Sequence, residues 1–147
     1  MTAIRESIEI ARRPEDVFAY LDDLARHGEW QEQIVDAHVN TEGPTRVGTQ
    51  VSQTLRMGKR EQKMSYEITE HTPPRTFAFR GTDGPVRVVG KGLVEPVGEG
   101  AARVTIELDF EGHGIGKLLA PIARKQASKQ VPKNQARLKE KLESGAV

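Results

Sequence analysis

Cysteine is missing altogether from the 147 residues. That excludes disulfides, thiolate zinc sites and cysteine nucleophiles. An excess of charge of one sign is missing too. Lys and Arg number 22 against 21 for Asp and Glu, so a net charge of +1 steers the chain neither to nucleic acid nor to membrane. No stretch approaches the ~20 apolar residues of a membrane span. The four histidines, His27, His38, His71 and His113, form no H-E-x-x-H pair, and there is no G-x-G-x-x-G or Walker loop. Aromatic and basic residues do not interleave as in a single-strand nucleic-acid binder. The opening MTAIRESIEI carries Arg5, Glu6 and Glu9 where a signal peptide would need an apolar run. These absences lead to a cytoplasmic, single-domain protein with no metal, no cofactor, no nucleic acid and no integral membrane segment.

What is present is mostly alternation. Ile4, Ile8 and Ile10 share one parity and read as a half-buried strand, with Glu6 as a charge on the apolar side. Pro14, Glu15 and Asp16 suit a first helical turn, and Val17, Phe18, Leu21 and Leu24 recur at helical spacing, predicting a helix over 14–25. His27, Gly28 and Trp30 read as the end of a second helical turn. Period two then takes over: Val35, Ala37 and Val39; Val51, Gln53 and Leu55; Met64, Tyr66 and Ile68; Phe77 and Phe79; Val86, Val88, Gly90, Gly92 and Val94; Val104, Ile106, Leu108 and Phe110. Short turns at Gly43-Pro44, Gly58-Lys59, Asp83-Gly84-Pro85 and Gly98-Glu99-Gly100 permit antiparallel hairpins but no helical crossovers.

The last segment, Ile115 to Leu142, is the only one long enough for a major helix. It carries eight basic residues against two acids up to Glu143, a net of +6 that leaves −5 for the remainder. Its basic row Lys125, Lys129, Lys133, Arg137 and Lys141 reads as a solvated face, or more sharply as a site for acidic lipid headgroups or a partner. Two apolar groups conflict. Ile115, Leu118, Leu119 and Ile122 cluster on one side, and Val131, Leu138 and Leu142 lie roughly 160° away on an ideal helix. With Pro132 beside the second group, a bend or break is expected between about Ala123 and Pro132.

The order of these elements resembles the START-like (SRPBCC, Bet v 1-like) superfamily, and within it the bacterial polyketide cyclase/dehydrase and lipid transport family. The matching residues are Ile8-Glu9-Ile10, Pro14-Glu15-Asp16-Val17-Phe18 with Leu21, Trp30, the GEGAARVT stretch from Gly98 to Thr105, Gly116-Lys117-Leu118-Leu119, and Leu138-Lys139 with Leu142-Glu143. The resemblance covers essentially the whole chain. It implies an α+β helix-grip fold, a curved antiparallel sheet of about seven strands wrapped around the C-terminal helix, with two short helices after the first strand. It also implies an apolar cavity between sheet and helix, but brings no catalytic set.

A ligand in such a cavity would meet Val51, Gln53, Leu55, Met64, Tyr66, Phe77, Phe79, Val88, Gly90, Gly92, Leu118, Leu119 and Ile122, with Trp30 near the mouth. The alternative is that the same residues fill a core. Gly90 and Gly92 are either a bare cavity floor or a β-bulge. Buried Gln53 and Tyr66 each need a hydrogen-bond partner, from a ligand or from water and backbone. By parity, no ionisable residue faces inward from Gln33 to Phe110, so Glu6 as base and Tyr66 as donor are the candidates for any catalysis. The expected partner is a small hydrophobic molecule such as a lipid, polyketide or aromatic compound, bound by a monomer or homodimer. A polyketide cyclase/dehydratase and a ligand-free interaction module are the alternatives.

Overall fold

A computed structural model describes residues 4–145. The elements run β1 (Ile4–Ile10), α1 (Pro14–Leu21), a 3-10 helix (Leu24–Glu29), β2 (Ile34–Val39), β3 (Gln50–Met57), β4 (Arg60–Thr72), β5 (Thr76–Gly81), β6 (Val86–Pro96), β7 (Ala102–Gly112) and α2 (Gly116–Glu143). All seven strands form one antiparallel sheet in the order β1-β7-β6-β5-β4-β3-β2. This is the helix-grip arrangement that the resemblance implied. β1 and β2 hold opposite edges, so α1 and the 3-10 helix carry the chain from one edge to the other. The helix expected over 14–25 stops at Leu21; Val17, Phe18, Tyr20 and Leu21 are its buried residues.

Two bulges interrupt the strand parity. Between Ile34 and Asp36 the β2–β3 register shifts, and Val35, expected inside, is 45% exposed. The second lies between Ile68 and Glu70, where β4 gains a residue against β5. An extra residue turns every later side chain of the strand to the opposite face.

Helix α2 resolves its conflict differently from expectation. It runs uninterrupted from Gly116 to Glu143, through Pro121 and Pro132, so the break is not there. Instead one apolar group is left out. The buried positions are Gly116, Ala120, Val131, Asn134, Gln135, Leu138 and Leu142, a stripe whose first half is made of small residues. Gly116 sits on the backbone of Pro85, where an added Cβ would collide with the carbonyl. That close approach seats the helix start on the β5–β6 turn.

The C-terminal half is held over β1 and β7 by specific contacts. Gln135 Nε2 donates to the Glu6 carbonyl at 2.9 Å, and Asn134 Nδ2 donates to Gln33 Oε1 at 3.0 Å. Arg124 donates to Asp109 Oδ1 (3.0 Å) and to the Phe110 carbonyl (2.7 Å), fixing the first half to the end of β7. Leu138 and Leu142 enter a core with Ile10, Val17, Phe18, Trp30, Val94 and Val104. Each such leucine contributes about 1.5–3 kcal/mol. A second cluster, Leu24, Val51, Tyr66 and Ile68, packs at the far side of the sheet.

Candidate ligand-binding face

The inner face of the sheet can be read in transverse rows from the register. One row runs Val51–Tyr66–Gly81, a second Ile68–Phe79–Gly90–Leu108–Ile4, and a third His71–Phe77–Gly92–Ile106–Glu6. In each of the last two rows a phenylalanine faces a glycine across β5 and β6. A Cβ on Gly92 would run into the ring of Phe77, and one on Gly90 into the ring of Phe79, with Leu108 Cδ2 at 2.7 Å. The glycines are therefore seats for the two rings. They are not a bare floor, and β6 keeps a regular register through them, so they are not a bulge.

Tyr66 stands where the rows meet the second cluster. It is 5% exposed and its ring is 5.3 Å from that of Phe79. Its hydroxyl is buried without a hydrogen-bond partner among the described residues. Burial pushes the phenol pKa up, so the group stays protonated and is a donor rather than a base. Beside it, paired across β3 and β4 with Met64, lies Gln53. Gln53 is buried, and its side-chain amide makes no hydrogen bond among the described residues. Leu55 and Met64 are less buried than Val51, and Val88 closes the same face from β6. Two under-used polar groups thus stand within a wall that is otherwise apolar.

The helix side of the expected lining is different. Leu118, Leu119 and Ile122 are 76%, 42% and 55% exposed, because α2 turns Gly116, Ala120 and Val131 to the sheet instead. Trp30, expected at a mouth, is buried in the main core, its Nε1 without a partner among the described residues and its ring 5.4 Å from that of His27. His27, at the end of the same turn, is buried as well. Its Nε2–H donates to the Leu21 carbonyl at 2.7 Å, and Nδ1 accepts from Gln31 at 3.4 Å. Burial pushes this imidazole pKa down, and both contacts suit the neutral ring.

One inward ionisable group escaped the parity reading. The bulge after Ile68 turns His71 inward, opposite Phe77. Its Nε2 is 2.8 Å from Asp22 Oδ1, and its ring lies 5.9 Å from that of Phe18. Glu6 is half-buried at the other end of the same row. Four strand spacings, about 19 Å along the sheet, separate the two.

Two shallow concavities lie elsewhere. A 240 Å³ depression sits between the 3-10 helix and β2, lined by Arg26, Glu29 and Ile34 among others. An 80 Å³ one lies by Pro14, Pro74 and Pro96. Between sheet and helix, the space over the glycine strip is taken by the Phe77 and Phe79 rings. Among the described residues, no group of three or more His, Asp or Glu side chains could hold a metal ion, and no helix is long and apolar enough to cross a membrane.

Comparison with known proteins bears on this face. A family model described as polyketide cyclase / dehydrase and lipid transport matches residues 1–143. A search of curated proteins finds no match. Among solved structures, TTHA0849 from Thermus thermophilus is similar at 19% identity and a TM-score of 0.80, covering 98% of this chain and 99% of its own. A START superfamily protein from Mycobacterium smegmatis is similar at 13% identity and a TM-score of 0.78, over 96% and 97% of the two chains. The Zhui aromatase/cyclase from Streptomyces sp. R1128 follows at 14% and 0.75, over 97% and 92%. At these identities the structures share the fold.

Proposed function

We propose that this chain, which belongs to the polyketide cyclase / dehydrase and lipid transport family, binds a small apolar molecule with one hydrogen-bonding oxygen on the inner face of its sheet. The observation that carries the reading is the Tyr66 hydroxyl, a buried donor with no protein acceptor among the described residues. Leaving such a group unpaired costs about 1–3 kcal/mol, and a guest oxygen would remove that cost. Gln53 offers a second polar contact, while Leu55, Met64, Val88 and the Phe79 ring supply apolar surface at about 25 cal/mol per Å² buried.

Room for the guest comes from the ring seats. Phe79 fills the space above Gly90 in the free protein. Rotating the ring away opens a volume about the size of a phenyl group beside the Tyr66 ring, over a glycine that presents no side chain. Apolar guests with a carbonyl or hydroxyl, including fatty acyl, polyketide and phenolic compounds, fit this chemistry.

The test uses the neutral, carbonyl-bearing dye prodan and native mass spectrometry of the purified protein. Dye fluorescence should rise and blue-shift on binding, and a co-purifying apolar species should displace it. Replacing Phe79 with Trp should weaken dye binding by overfilling the seat. If neither dye nor a co-purifying molecule binds, or if the Phe79 variant binds as the parent does, the proposal fails.

A cyclase/dehydratase reading of the same face has one observation in its favour, the His71–Asp22 pair turned inward by the β4 bulge. It places a general base next to Phe77. Loss of turnover on a poly-β-ketone by His71→Gln, with dye binding kept, would support that reading over a carrier.

A further inference from the structure

Helix α2 has a second face with no role in the fold. Ile115, Leu118, Leu119 and Ile122 are 70%, 76%, 42% and 55% exposed and follow one another at three- and four-residue intervals. On a helix those intervals make one contiguous patch. The same line continues toward the C-terminus as Lys125, Lys129 and Lys133, all exposed and without an acidic partner among the described residues. The outward face is thus apolar for its first two turns and cationic for the next three. No Asp or Glu occurs anywhere from Gly112 to Lys139.

We infer that this face docks the protein on an anionic lipid surface, with the Leu118–Ile122 tip entering the headgroup region and the lysine row lying against the phosphates. Four aliphatic side chains so exposed at one end of a helix match the shallow apolar insertion of an interfacial helix, and the adjoining lysines match the charge of acidic headgroups. Charge decides against the other occupants. A second copy packed on the tip through a two-fold axis would cover the aliphatic side chains and leave the lysine row without counter-charge. A soluble polyanion would use the lysines and leave the aliphatic tip in water. The buried stripe of small residues explains why the patch is free, since Gly116 and Ala120, and not the aliphatic side chains, face the sheet at this end of α2. Docking needs no guest on the inner face, so it stands or falls apart from the proposal above.

Co-sedimentation with phosphatidylcholine vesicles, with and without phosphatidylglycerol, tests the inference in the absence of any apolar ligand. Binding is expected to the anionic vesicles alone and to weaken as salt rises. Removing the row by Lys125→Ala, Lys129→Ala and Lys133→Ala together should weaken binding on the order of tenfold or more, since each lysine near such a surface is worth several-fold. Leu118→Gln with Ile122→Gln should weaken it by a similar factor, whereas Lys59→Ala with Lys63→Ala, on the β3–β4 hairpin, should leave it unchanged. All these side chains are exposed, and circular dichroism of each variant confirms the fold. Equal binding to neutral vesicles, or lysine dependence without dependence on Leu118 and Ile122, overturns the inference. So does a wild-type dimer in sedimentation velocity that the Leu118 and Ile122 variant abolishes.

Discussion

The ring of Phe77 occupies the place where a side chain on Gly92 would stand. The two residues are partners across β5 and β6, and Phe79 and Gly90 repeat the arrangement two residues on. A β-branched or even methyl-bearing residue in β6 would force the ring off the sheet. Glycine loses more entropy than alanine in a strand, so the arrangement is stable only because a large aromatic covers the gap.

Gly92→Ala should therefore destabilise the protein by about 1–3 kcal/mol, the range for an overpacked core. The effect should be specific to the ring. In a Phe77→Leu background the same glycine substitution should cost less by at least about 1 kcal/mol, because the colliding atoms are gone. Urea denaturation of the two single variants and the double variant measures the coupling. Additive losses would mean that the ring and the glycine are not one unit.

Much of this fold is legible from alternation alone. β7 shows it without a break, Val104 to Phe110 inward, and the glycine-rich turns mark the hairpins. The site is harder to read because local geometry overrides parity. One extra residue after Ile68 turns His71 inward, and no feature of the sequence around Thr69 announces a bulge. Val35 leaves the inner face for the same reason. The facing of α2 was hidden by a different cause. A small-residue stripe, Gly116 and Ala120, binds the sheet by close approach, so the most hydrophobic positions of the first turns are not the buried ones. Hydrophobic periodicity reports which face is greasy, and close packing of backbones answers to size.

His71 and Asp22 give the second prediction. Their contact ties the end of α1 to β4 across 49 residues of chain, with both side chains largely shielded at 13% and 27% exposure. Asp22→Ala should lower stability by about 1.5–3 kcal/mol, as loss of a hydrogen bond to a charged group does. The neighbouring Asp23, which meets Arg26 only at 4.0 Å on the surface, should cost less than about 0.5 kcal/mol when replaced by Ala. Equal losses at the two positions would remove the structural role of the pair.

His27 makes stability depend on pH. Burial holds its folded pKa below the ordinary 6.5, while the unfolded chain regains that value. Below about pH 6.5 the unfolded state then binds more protons, and stability is lost as pH falls, by up to about 1.4 kcal/mol per pH unit until the folded ring titrates. His27→Gln keeps a donor for the Leu21 carbonyl and removes the titration. Its stability, measured by urea at pH 7.5 and pH 5.5, should change less between the two than that of the parent. The carboxylates held low by arginine or lysine, Asp16, Asp109 and Glu143, lose their contribution only at more acid pH and do not blur the comparison.

Tyr66 separates stability from binding. Its hydroxyl is buried without a protein partner among the described residues, so Tyr66→Phe removes an uncompensated polar atom while keeping the ring packed on Phe79. The free protein should become more stable by about 1 kcal/mol, since deleting an unsatisfied group recovers its desolvation cost. Guests that carry a carbonyl or hydroxyl should bind about fivefold or more weakly, and a pure hydrocarbon of the same shape should bind unchanged. A polar group kept at a cost to folding is what a binding site requires, because the donor must be free when the guest arrives. Thermal unfolding of the two proteins with and without an oxygen-bearing guest gives both numbers in one experiment. If Tyr66→Phe is less stable than the parent, the hydroxyl has a partner in solution and is not held in reserve for a guest.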